Sequence, residues 1–338
     1  MQEHIETTPT DQQLPVMSSS QVSTPGAVRS DRLGIVLSLL ALYLIWGSTY
    51  FAIRIAISSM PPMLMVGARF VLAGGLLFAL LKARGAPTPT WRQWRGSLIV
   101  GTFLCVGGMG GVALAEQWVA SSVAAFCIAT TPLWISLFSG LFGRWPSRNE
   151  WIGLVIGLAG VVCLNIGNNL WATPLGAALL VLAPICWTFG SAWSHRLPLP
   201  KGLMESAAEM MMGGAIALLL GLVIGERPTG SFSWQSLAAF AYLTVIGSMV
   251  AYTAYSFLLR RVRPALATSY AYVNPLVAVC LGVAFGGDRV TPLGIVGMVV
   301  ILVGVVLVSL ARGRATTSST PAAPDASSPN VVQAKSGQ

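Results

Sequence analysis

Residues 33–53 read LGIVLSLLALYLIWGSTYFAI, twenty-one positions with no charged side chain. At about 1.5 Å of rise per residue a helix of this length covers about 30 Å, the thickness of the hydrocarbon layer of a bilayer. Only a helix can lie there as a single segment, because lipid offers no partner to an unpaired backbone N–H or C=O. Outward from this run the pattern recurs, and apolar windows predict further spans over 63–81, 96–115, 119–142, 151–168, 174–194, 203–224, 236–259, 264–285 and 292–311. With 54% hydrophobic and 9% charged residues and a mean hydropathy of +0.72, the solvent of most of the chain is lipid. The expected fold is an all-α integral membrane protein of ten transmembrane helices. Short connections leave no room for a soluble domain between them.

The flanks differ in kind. Residues 1–32 are rich in Gln, Ser, Thr and Pro, and 312–338 in Ser, Ala and Pro. Neither holds enough apolar surface to offset chain entropy, and both are expected to be disordered tails. The first has no charged start, short apolar core and small-residue cleavage site, so the run from Leu33 is expected to stay as the first helix. Cytoplasmic connections of membrane proteins collect Lys and Arg. Alternate connections here, among them Lys82, Arg84, Arg92, Arg95, Arg260 and Arg261, gather sixteen of the twenty basic residues, which places both termini in the cytoplasm. The net charge of +9 then belongs to an anionic membrane face and implies no nucleic-acid partner.

Sliding the chain on itself reveals a repeat. Trp91 falls on Trp234, Ala124 on Ala267 and Pro132 on Pro275 at an offset of 143; Trp46 falls on Trp187 at 141 and Gly74 on Gly214 at 140. The units are 33–168 and 174–311. Each crosses five times, an odd number, so the second copy inserts upside down, and a binding site is expected at the midplane between inverted halves.

The order of short motifs within these spans carries a family resemblance. Trp46-Gly47-Ser48-Thr49 precedes Ile53-Arg54, Pro61-Pro62 precedes Ala68-Arg69-Phe70, and Thr131-Pro132-Leu133 and Asn274-Pro275-Leu276 stand in the fourth and ninth spans. The chain thereby resembles the EamA group of the drug/metabolite transporter superfamily. The resemblance implies a bacterial inner-membrane exporter or exchanger of small metabolites, in which the first four helices of each half line a central cavity. Position 69 is matched in the second half by Glu209, and Gly47 by Thr188.

Ionisable groups inside spans are costly and usually face a cavity or a partner. Arg69 lies about 10 Å into the second span, counted from Pro62 at 1.5 Å per residue, and is expected to face a cavity or to make an interhelical hydrogen bond. Glu209 offers either a cavity role, with proton coupling as its use, or a structural pair. Glu116 and Glu226, at span ends and loops, are expected to be solvated. Trp46 and Trp187 are repeat mates deep in their spans, either lining the cavity or packing helices. Tyr50, Thr131, Ser191, Tyr252, Tyr270 and Asn274 complete the candidate solute contacts. Pro132 and Pro275 each remove a backbone donor and free the carbonyls of Ile128 and Ala271, marking matched kinks. Trp91, Trp118, Trp151 and Trp234 sit at span ends as interface anchors.

An enzyme needs paired acids, a histidine or a metal cluster, and the spans supply none. The cysteines are scattered, and His4 and His195 lie outside the spans. No cofactor or metal is expected. The function these residues predict is secondary transport of a small organic solute, amino-acid-like or amphipathic, with a carboxylate pairing to Arg69. The other class is a membrane receptor or assembly subunit that moves nothing. The expected partners of the chain are a small-molecule solute and the lipid bilayer, and no residue pattern speaks for an oligomeric state.

Overall fold

The structure is a computed structural model describing residues 25–141, 173–228, 230–261, 270–285 and 292–315, together with Gly287 and short helical pieces of 148–160. Every described element is helical. In chain order they are α1 (Pro25–Ile57), α2 (Pro62–Ala83), α3 (Trp91–Ala115), α4 (Ser121–Ile128), α5 (Thr131–Leu141), α6 (Pro174–Ser194), α7 (Leu203–Val223), α8 (234–261), α9 (Tyr270–Phe285) and α10 (Pro292–Ala315). Six stretches, from α1, α2, α3, α6, α7 and α8, are long and apolar enough to cross a membrane, and shorter apolar helices lie in α4–α5, α9 and α10. The fifth predicted span, 151–168, falls largely outside the described residues, as do the outer parts of both tails.

Three local departures from uniform helix have visible causes. Helix α1 starts at Pro25, ahead of the apolar run, although residues 25–32 read as tail. Proline at the first helical turn gives up no bond, and elongating an existing helix is far cheaper than starting one. The fourth span is two helices, parted at Ala129 and Thr130 just before Pro132. The Ile128 carbonyl accepts from the Thr131 hydroxyl at 2.5 Å, and the Cys127 carbonyl from Thr130 at 2.6 Å, so side chains take over part of the broken ladder. Pro275, by contrast, stays inside a continuous α9. Finally, α3 and α8 each widen into a π-helix, over Thr102–Gly110 and Leu243–Val250. The two stretches occupy matching places in the repeat, and π turns of this kind collect at functional sites.

Helices in lipid gain little by hiding apolar surface from one another, so close backbone packing must hold the bundle. The most extensive crossing joins α2 to α7. A Cβ on Gly74 would meet the backbone of Ala207 and Met211 at 2.8 Å, and one on Gly214 would meet Val71 at 2.8 Å and Gly67 at 2.9 Å. At the repeat offset of 140, Gly74 maps to Gly214, Gly67 to Ala207 and Val71 to Met211, so the contacts of Gly74 are the mates of those of Gly214. Such reciprocity is what a local two-fold axis produces, and the two helices run antiparallel through it.

The same register governs the ends. Where α1 passes to α2, Ser58 meets Ser236 at 3.1 Å, Ser236 donates to the Ile55 carbonyl at 2.9 Å, and the Ser233 N–H donates to Ser59 at 3.1 Å. At the opposite end the Gln93 amide donates to the Leu199 carbonyl at 3.2 Å. Gln93 is the mate of Ser236 and Leu199 of Ser58, so equivalent contacts fasten the two ends.

Glu226 corrects a sequence expectation. It is half-buried rather than solvated, and its carboxylate accepts from the backbone N–H of Met63 at 3.1 Å and of Leu64 at 2.8 Å, capping α2. A carboxylate suits a helix N-terminus, where unpaired N–H groups and the helix dipole both favour negative charge. Glu226→Ala is expected to cost about 1–2 kcal/mol, read as a fall of a few degrees in thermal unfolding of the detergent-solubilised protein.

Candidate functional site

Between the two halves lies a narrow cavity of about 40 Å³. Trp46 and Tyr50 reach it from α1, Thr131 from the start of α5, Trp187 from α6, and Tyr270 and Asn274 from α9. Sequence reasoning did not single out its other walls: Thr49 and Ile53 one turn from the named α1 residues, Ile128 at the helix break, Ala183 in α6, and Gly108, Met109 and Val112 in α3. Helical spacing carried the signal for Thr49 and Ile53, which lie three residues beyond Trp46 and Tyr50. Nothing in sequence aimed Met109 inward. Its direction follows from the π turn, which rotates the side chains that follow it.

The aromatic rings form one connected cluster. Trp46 and Trp187, the repeat mates, meet edge to face at 6.0 Å with planes at 89°. Trp46 also packs on Tyr270 at 4.7 Å and Tyr255 at 5.2 Å, and Trp187 on Tyr252 at 6.5 Å. Edge-to-face pairs of this spacing gain roughly 0.5–1.5 kcal/mol each beyond their contact area. The buried indole of Trp46 donates to the Gly247 carbonyl at 3.2 Å, within the α8 π-helix. Thr49 donates to the Trp46 carbonyl at 2.7 Å.

The remaining predicted residues lie off the cavity wall. Arg69 is 1% exposed, and its Nε donates to the Ser248 hydroxyl at 2.8 Å while its guanidinium covers the Phe70 ring at 4.6 Å. One terminal nitrogen, Nη1, is buried with no hydrogen-bond partner. Glu209 accepts from the Tyr252 hydroxyl at 3.2 Å, and Cys105 sits against its backbone carbonyl. Ser248 is the repeat mate of Cys105, as Glu209 is of Arg69. Two equivalent niches therefore flank the centre, one holding arginine and serine, the other glutamate and cysteine. Ser191 is half-buried in α6, outside the wall, and its carbonyl accepts from Ser194. Glu116, expected in solvent, is 4% exposed and lies within electrostatic range of Tyr50, because the end of α3 packs against α6, α2 and α1 rather than emerging from the bundle. Trp91 and Trp234 stand at the first positions of α3 and α8 with their rings open to the surroundings, 75% and 79% exposed.

The sequence profile of the EamA-like transporter family matches this chain twice, over residues 32–166 and 174–310. The chain belongs to the EamA-like transporter family. It is 45% identical over 276 residues to the inner membrane transporter YedA of Escherichia coli (strain K12), covering 81% of this chain and 90% of YedA. It is also 21% identical to the transporter YoaV of Bacillus subtilis (strain 168), over 80% of this chain and 95% of YoaV. A solved crystal structure with 20% sequence identity superposes with a TM-score of 0.60 over 84% of this chain and 99% of its own, showing the same fold. The architecture of this EamA-like transporter is thus the two-copy one, and the central cavity sits where the copies meet. Among the described residues no cluster of His, Cys, Asp and Glu is placed to hold a metal ion.

Proposed function

We propose that this chain is a secondary transporter that carries a small organic solute across the bacterial inner membrane by alternating access of two inverted five-helix halves, with both termini in the cytoplasm. The observation that carries the reading is an aromatic cavity contributed by both halves, with Trp46 and its mate Trp187 in contact across it. Pockets that hold small organic molecules run to about 300–1,000 Å³. A cavity of 40 Å³ is therefore a closed form, and the fastenings at both ends agree with it. Admitting a solute requires one end to part while the other holds. The interrupted fourth span beside the wall supplies the usual feature of a midplane site, a broken helix next to a cavity.

A metabolite-release comparison of cells with and without the chain, followed by flux of the released solute through purified protein in liposomes, tests the reading. Flux that depends on the protein supports it; a chain that binds solute in liposomes yet moves none is a receptor and refutes it. Coupling to protons belongs to the same proposal, with Glu209 as the titrating group. Tyr252 and Tyr255 from α8, Cys105 from α3 and Glu205 from its own helix surround it. Glu209→Gln is expected to abolish uptake driven by a pH gradient while leaving downhill exchange; unchanged gradient-driven uptake sinks the assignment.

A further inference from the structure

We propose that the cavity selects a solute bearing an N–H donor, an amine on a flat apolar frame, through the side-chain oxygen of Asn274; this rests on the reading of the cavity as the solute site. Donor accounting leads there. Of the wall's polar hydrogens, the Thr49 hydroxyl is spent on the Trp46 carbonyl, the Thr131 hydroxyl on the Ile128 carbonyl, and the Trp46 indole on the Gly247 carbonyl. The Trp187 side chain lies in hydrogen-bonding reach of the Tyr270 hydroxyl. Among the described residues, the wall's buried side-chain atom left without a partner is an acceptor. Asn274 is 2% exposed, its amide lies beside the Tyr50 hydroxyl, and its Oδ1 is buried with no hydrogen-bond partner. A buried acceptor left unpaired costs about 1–3 kcal/mol, so the site is built to receive a donor that the protein does not supply.

The surroundings favour a cationic donor. None of the wall residues carries a formal charge. The charged group acting on a wall tyrosine is an acid, Glu116 on Tyr50, and a second acid, Glu209, acts on Tyr252 and Tyr255 behind the wall. Indole and phenol faces attract an ammonium through the ring quadrupole. Arg69, whose charge would suit a carboxylate, is turned to Ser248 instead. An unpaired acceptor among uncharged aromatic walls disfavours anions, because their oxygens would meet its lone pairs and the negative ring faces.

Binding to the purified full chain, read by calorimetry, tests this with three probes: phenethylamine, its N,N,N-trimethyl derivative, and 3-phenylpropionate. The first has charge and N–H donors, the second charge alone, the third an anion. Phenethylamine is expected to bind about tenfold more tightly than the trimethyl derivative, the worth of one hydrogen bond to a buried group, and the anion weakest. Asn274→Leu is expected to bring phenethylamine down to the trimethyl level without moving the latter. Should that variant fail to fold, Asn274→Asp keeps the acceptor and is expected to hold the amine at least as tightly as the parent. Binding of none of the three at millimolar concentration, tighter binding of the anion, or loss of the amine in Asn274→Asp overturns the proposal. Because calorimetry needs no transport, amine binding without liposome flux counts against the transporter reading alone.

Discussion

Gly213→Val is expected to yield no folded protein, with the monodisperse peak lost in size-exclusion chromatography of detergent extracts. Gly213 on α7 lies directly against Gly101 on α3. A Cβ there would strike the Gly101 carbonyl, lie 2.5 Å from its carbon, and press the Cys105 side chain at 2.8 Å. Overpacking a core that can shift side chains costs about 1–3 kcal/mol. Here the obstacle is backbone, which can yield only if two helices separate, and that separation would also loosen the adjoining crossing of α2 and α7. The cost is therefore expected above the upper end of that range. Gly75→Ala, where an added Cβ meets nothing within 4 Å, is the matched control and should elute as the parent does. A well-folded Gly213→Val chain would mean that α3 and α7 do not pack as described.

Trp46→Ala and Trp187→Ala are each expected to lower solute flux in liposomes by at least about tenfold, while Trp91→Ala leaves it unchanged. All three replace the same residue type, and two matched pairs of tryptophans behave oppositely in the structure. Trp46 and Trp187 meet at 6.0 Å over the cavity, whereas Trp91 and Trp234 point away from the bundle at the starts of their helices. Truncating either buried indole removes contact with the solute and strips a ring partner from the cluster, from Tyr270 and Tyr255 for Trp46 and from Tyr252 for Trp187. A tenfold loss corresponds to about 1.4 kcal/mol, modest for a residue of this size. Equal flux from all four proteins would remove the aromatic cluster from the transport path.

Much of the cavity was legible in sequence because helical periodicity and the repeat act together. Trp46 and Trp187 share a register, because their offset of 141 departs little from the 140 and 143 of the other matched pairs. Asn274 and Thr131 adjoin the matched prolines. Arg69 and Glu209 were legible as buried, since position along a span gives depth. Where they face was not, because facing depends on helix rotation. The π turns in α3 and α8 change that rotation midway, and only Gly107-Gly108-Met109-Gly110-Gly111 hints at one of them. Glu116 and Glu226 misled for a related reason: a span end looks like a boundary with water until a neighbouring helix covers it or needs a cap.

Sequence alone determined the environment, the helical class and the duplication, because transfer of apolar residues into lipid and backbone satisfaction are local requirements that each segment meets by itself. Tertiary structure decided which polar groups have partners. Arg69 turned to Ser248, Glu209 met Tyr252, and Asn274 was left with an open acceptor, since a hydrogen bond needs two atoms from distant segments brought within about 3 Å. No periodicity in a single chain specifies that coincidence.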